Sequence, residues 1–126
     1  MSEQSDYRAN ERAQLRVLFC IGVTPTFFEM RADGIADVIG AVGKAFEDLA
    51  DRFGITVLGT MDDDELMVGS SATWPWTAYV LADAPDLAAV TGVCNIVRET
   101  TIGDHRLWRY LRIEARVGRP LFFANA

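Results

Sequence analysis

The chain has 126 residues and a formal net charge of -6. That is the size of one domain, with a core that needs no disulfide or metal to hold it. The acidic balance argues against a nucleic-acid partner, which calls for a basic patch to release counterions, and against binding an anionic membrane surface. The composition, 50% hydrophobic and 24% charged, is that of an ordinary globular protein.

No apolar run approaches the ~18 residues of a membrane span. The two cysteines, Cys20 and Cys94, are far apart and form no C-x-x-C, so neither a disulfide framework nor a zinc site is signalled. Reduced thiols and a cytoplasmic location are expected. Residues 1–11 are polar and charged with no apolar signal segment, and are expected to be a flexible leader. Residues 12–126 are expected to form a single domain.

From Arg12 to Thr24 apolar residues fall at period two, with Leu18 and Cys20 making the second face apolar as well. This pattern predicts a strand buried on both sides, hence central in its sheet. Pro25 ends it, having no N–H to donate. Asp33 is read as an N-cap for a helix over Gly34–Phe53. Its stripe is Ile35, Val38, Ile39, Val42, Phe46, Leu49 and Phe53, spaced at three and four. Gly54 follows as the stop.

Ile55–Met61 reads as a second strand, Asp62–Asp64 as a turn, and Glu65–Val68 as a short strand pairing back. Ser70–Thr73 reads as loop. Pro75–Ala82 is the predicted third strand, with its proline at the tolerated first position. Asp83 is read as opening a second helix, with Pro85 in its first turn. The apolar stripe of that helix is Leu87, Val90, Val93, Cys94 and Val97. Tyr110–Val117 alternates cleanly: Leu111, Ile113, Ala115 and Val117 face one way, and Tyr110, Arg112, Glu114 and Arg116 the other.

The predicted order is β-α-β-β-α-β: an α+β, ferredoxin-like, four-stranded antiparallel sheet with both helices on one face. The first strand is apolar on both sides and no third helix is available to cover the second face. A second copy of the sheet would do so, which predicts a symmetric homodimer.

That order, over residues 12–120, resembles the dimeric α+β barrel superfamily, in which two ferredoxin-like units pack sheet to sheet. Three segments, LFCIGVTPTFF (Leu18–Phe28), WPWTAYVLADAPD (Trp74–Asp86) and LWRYLRIEARVGRPLFF (Leu107–Phe123), resemble the small IacB-type protein found with indole-3-acetate degradation enzymes. The resemblance implies a catabolic setting and an aromatic, acidic small molecule. It brings no reaction and no catalytic residues with it.

Among groups that carry chemistry, His105 is the only histidine and the candidate acid/base. A lone histidine rules out a multi-histidine metal site, and neither metal nor cofactor is expected. Trp76, Tyr79, Trp108 and Tyr110 are the candidate ring-stacking residues. Trp76 and Tyr79 have opposite parity on the third strand, so they are expected on opposite faces. Arg112 is the candidate to fork onto a ligand carboxylate; the plainer reading of the nearby arginines is pairing with Glu114 across a dimer. The acidic run Asp62–Glu65 lacks the spacing and glycine of a calcium loop and is read as turn chemistry. Gly43, at the edge of the first helix's stripe, is read either as opening space between helix and sheet or as allowing a close helix–sheet contact. Alternatives to aromatic-acid binding are a non-catalytic partner of an oxygenase or reductase, and a cofactor-free monooxygenase or isomerase.

Overall fold

The structure is a computed structural model and describes residues 14–69 and 74–123. The leader at 1–11 and the loop Ser70–Thr73 lie outside the described residues. In chain order the elements are β1 (Leu15–Val23), α1 (Pro25–Phe28), α2 (Ala32–Ala45), α3 (Leu49–Phe53), β2 (Thr56–Asp62), β3 (Ala78–Ala84), α4 (Leu87–Glu99), β4 (Thr101–Ile102), β5 (His105–Arg106), a 3-10 turn (Leu107–Arg109) and β6 (Leu111–Gly118).

β2, β3, β1 and β6 lie in that order in one antiparallel sheet, the ferredoxin-like arrangement expected from the element order. β1 pairs on both edges, with Cys20 between Tyr79 of β3 and Glu114 of β6. The odd-numbered residues of β1 face the helices. Val17 and Phe19 bury there with Ala82, Ala84, Ile55, Leu49 and the α4 residues Val90, Val93 and Ile96. A second cluster, Val38, Val97, Leu107, Tyr110 and Leu111, closes the other end of this layer. The even-numbered face of β1 carries no helix.

Several elements differ from the sequence reading. The long first helix is broken. Phe46 leaves helical geometry, and Asp48 adopts a left-handed conformation (φ 55°) before α3 restarts. The Arg52 guanidinium donates to the carbonyls of Ala45, at 2.5 Å, and Glu47, at 3.0 Å, satisfying acceptors that the break strands. The periodicity persists across the break because Leu49 still buries, so apolar spacing alone does not reveal it. Ile39, counted in the stripe, is 60% exposed. Gly54 does end the segment, at φ 72°, a conformation that a Cβ penalises.

α2 starts at Ala32, with Arg31 at its cap position and no side-chain cap; Asp33 sits in the first turn. Pro25 does end β1, and in addition begins the helical turn α1, where a missing N–H does no harm. Glu65–Val68 forms no strand. β3 starts at Ala78 and runs on through Asp83 and Ala84. Asp83 opens no helix: it accepts from Arg16 Nε at 2.6 Å across β1 and β3. The cap of α4 is Asp86, whose carboxylate accepts from the Ala89 N–H at 2.8 Å. Leu87 is consequently in the first turn and 63% exposed, while Ala89 and Ile96 join the buried stripe.

Candidate functional site

The segment from Thr100 to Tyr110 is held by a short chain of backbone contacts. Leu107 N–H donates to the Thr100 carbonyl at 2.9 Å and Tyr110 N–H to the Leu107 carbonyl at 2.8 Å. Thr24, buried at the end of β1, reaches across: its hydroxyl donates to the Arg109 carbonyl at 2.8 Å and its N–H to the Tyr110 carbonyl at 2.9 Å. Arg106 donates to the Arg98 carbonyl at the end of α4, at 2.8 Å. The buried Leu107 and Tyr110 thus fix the turn between them, and Trp108 is left projecting, partly exposed.

Two guanidinium groups lie against the Trp108 ring. Arg112 is 4.2 Å and Arg98 is 4.9 Å from its centroid, within cation–π range. Arg112 also donates to the carbonyls of Trp108 and Leu111. Among the described residues neither arginine forms an ion pair. The ring borders a polar cleft of about 250 Å³ whose lining includes Cys94, Asn95, Val97, Arg98 and Ile113. Burial pushes the Cys94 thiol up, so at neutral pH it is a protonated thiol and a poor nucleophile.

The sequence-predicted residues therefore divide. Trp108 and Arg112 come together. Arg112, opposite Gly22 in the sheet register, turns back to the Trp108 carbonyl. Tyr110 precedes β6 and is buried in the helix-side core, so it does not share a face with Glu114. His105 is exposed on the β4–β5 hairpin, outside the lining of the Trp108 cleft. Arg116 and Glu114 pair at 2.8 Å within one chain, so that pairing requires no second copy.

Trp76 and Tyr79 occupy the open face of the sheet. Trp76 precedes the strand, so parity does not apply to it. A Cβ added at Gly22, on the open side of β1, would collide with the Pro75 carbonyl and meet Trp76 Cε3 at 3.4 Å; only glycine lets this segment cross there. The phenol of Tyr79 accepts from Trp74 Nε1 at 2.6 Å and donates to Asp63 Oδ2 at 2.8 Å. Desolvation, helped by Asp63, pushes its pKa up.

A smaller apolar cleft of about 190 Å³ lies between α2 and the sheet, lined by residues including Ile21, Phe27, Ile39, Val42 and Leu111. Gly43 is not among the residues that line it, and a Cβ there would meet nothing within 4 Å, so no close helix–sheet contact requires the glycine. Sequence reasoning missed Arg98 as a partner of Trp108, and Asn95 beside it in the cleft, since they belong to another element. It also missed Trp74 and Asp63 as partners of Tyr79, where the adjacent tryptophans were the available signal. Among the described residues no group of three or more His, Cys, Asp or Glu is placed to hold a metal, and no helix is long and apolar enough to cross a membrane.

No family model matches the chain, and no curated protein matches it significantly. Among solved structures it is similar to a structural-genomics protein of unknown function from Rhodopseudomonas palustris. That match has 16% identity and a TM-score of 0.50, and covers 95% of this chain and 92% of that one. A methylated form of that protein matches at 17% identity and TM-score 0.47, covering 95% and 90%. A candidate chlorite dismutase matches at 19% identity and TM-score 0.48, covering 84% of this chain and 44% of that one. The likeness to the Rhodopseudomonas palustris protein is one of fold, and agrees with the α+β architecture described above.

Proposed function

We propose that this chain is a small catabolic protein that binds an aromatic acid, in the first place an indole acid, in the cleft between α4 and β6. The observation that carries this reading is the pair of guanidinium groups on Trp108, neither of them ion-paired among the described residues. A ligand carboxylate would meet the Arg98 guanidinium, which lines the cleft beside Trp108, with Arg112 on the same ring but outside that lining. The indole acid and the catabolic setting are supplied by the resemblance of three segments to the IacB-type protein. The free thiols of Cys20 and Cys94 support a reducing, cytoplasmic location. The cleft offers binding groups and a protonated thiol, which supports a ligand-binding role ahead of a catalytic one.

Calorimetric titration with indole-3-acetate and with uncharged 3-methylindole tests it. The acid is expected to bind at least about tenfold more tightly, and Arg98→Ala or Arg112→Ala to weaken it by about 10–100-fold, the range of one charged hydrogen bond. Saturable binding untouched by either substitution, or no binding of the acid, would rule the cleft out.

A second observation favours assembly. The open sheet face leaves Leu81, Met61 and Trp74 exposed, flanked by the Arg16–Asp83 and Arg116–Glu114 pairs. We propose that a second copy covers it, sheet to sheet, as in the dimeric α+β barrels. Light scattering at micromolar concentration is expected to give a dimer, and Leu81→Lys a monomer; a wild-type monomer would sink this reading.

A further inference from the structure

The cleft between α4 and β6 holds a polar side chain that a carboxylate on Arg98 leaves unused. Asn95 is half-buried and lines the cleft with Arg98 and Trp108. Among the described residues its side-chain amide makes no hydrogen bond. Asn95 and Arg98 are three residues apart on α4, so they share a helix face, with Cβ atoms about 5–6 Å apart.

The hydrogen-bonding capacity of the lining decides what Asn95 reads. A guanidinium and an indole N–H only donate. Cys94, which keeps its proton at neutral pH, is a weak donor and a weak acceptor. Val97 and Ile113 contribute apolar side chains. The Asn95 carbonyl oxygen is therefore the one strong side-chain acceptor in the lining. Acceptor atoms of a ligand are served by Arg98, and a ligand donor is served by Asn95. The two heads also stand apart. The long Arg98 side chain carries its guanidinium to 4.9 Å from the Trp108 centroid, while the short Asn95 side chain keeps its amide near α4. A donor on the ring system of an acid reaches Asn95; a donor on the carbon next to the carboxylate stays beside the guanidinium.

We propose that Asn95 sets the specificity of this cleft, its side-chain carbonyl accepting the ring N–H of an aromatic acid whose carboxylate lies on Arg98. The inference rests on the aromatic-acid reading above and narrows it to acids whose ring carries a donor. An acid of the same shape without the N–H leaves that carbonyl unpaired under the ligand, which weakens binding.

Indole-3-acetate and 1-benzothiophene-3-acetate have nearly the same shape, and the second lacks the N–H. Both are titrated calorimetrically against the full chain. The indole acid is expected to bind about fivefold more tightly, the scale of one neutral hydrogen bond. In Asn95→Ala, which α4 accommodates because alanine is the best helix former, the indole acid is expected to fall to the affinity of the benzothiophene acid, which itself is unchanged. Arg98→Ala is expected to weaken both acids alike. Equal affinities in the wild type, with both acids still dependent on Arg98, would overturn the role of Asn95 and leave the aromatic-acid reading standing. A preference for the indole acid that survives in Asn95→Ala would overturn it as well. Binding of neither acid would overturn both.

Discussion

The ring of Phe53, at the end of α3, lies directly on the backbone of Gly92 in α4: a Cβ at position 92 would come within 2.5 Å of Phe53 Cε1 and 2.8 Å of Cδ1. The Arg52 guanidinium sits 5.1 Å from the centroid of the same ring. The glycine inside a helix is thereby explained by close approach. Replacing it with alanine gains about 1 kcal/mol of helix propensity but forces the ring to move, and overpacking costs about 1–3 kcal/mol. Gly92→Ala is therefore expected to lower stability by about 1 kcal/mol in urea unfolding. Adding Phe53→Leu is expected to recover part of that loss, because the two sites share one contact. A stabilised Gly92→Ala would show that the ring yields without cost.

Ile113 of β6 packs against both core clusters, between the sheet and the helices. Ile113→Asp places a carboxylate among these apolar side chains, and is expected to cost about 3 kcal/mol or more. A thermal melt like that of the wild type would mean that β6 faces the other way.

Asp83 and Asp86 separate two kinds of aspartate that read alike in sequence. Asp86→Ala removes the cap of α4 and is expected to cost about 1 kcal/mol and to lower helical signal near the transition. Asp83→Ala breaks the pair with Arg16, whose side chains are 31% and 19% exposed, and is expected to cost no more than about 1 kcal/mol. A double-mutant cycle with Arg16→Ala isolates the pair; a coupling of zero would make the contact ornamental.

Burial raises both thiols, with Arg116 opposing and Glu114 reinforcing the shift at Cys20. Each folded thiol then keeps its proton to a higher pH than in the unfolded chain. Stability from this source is complete below the ordinary thiol range and falls as pH climbs from the unfolded value toward the folded one. At pH 8 iodoacetamide is expected to alkylate the native protein much more slowly than the protein in urea, Cys20 more slowly than Cys94, since Cys20 is fully buried. Equal native and denatured rates would contradict the burial of both.

Patterning over short distances was enough to read the order of the strands and helices, the central place of β1, the helix-facing side of β6 and the stop at Gly54. Each follows from a period of two or 3.6, or from one residue's backbone freedom, and these are properties that neighbours along the chain already possess. Boundaries failed where a second element supplied the deciding contact. Asp83 stayed in a strand because Arg16 lies opposite it, and the break at Phe46–Asp48 is closed by Arg52. The candidate sites failed in the same way. Trp108 and Arg112 were legible as types, but strand parity sent Tyr110 to a face that its buried position denies it. Arg98 meets Trp108, and Asp63 and Trp74 meet Tyr79, only once α4, β6 and the β2–β3 connection are folded together. Local spacing thus determined which faces are apolar. Which polar groups share a cleft was decided by tertiary packing, because long side chains reach across elements that the sequence keeps apart.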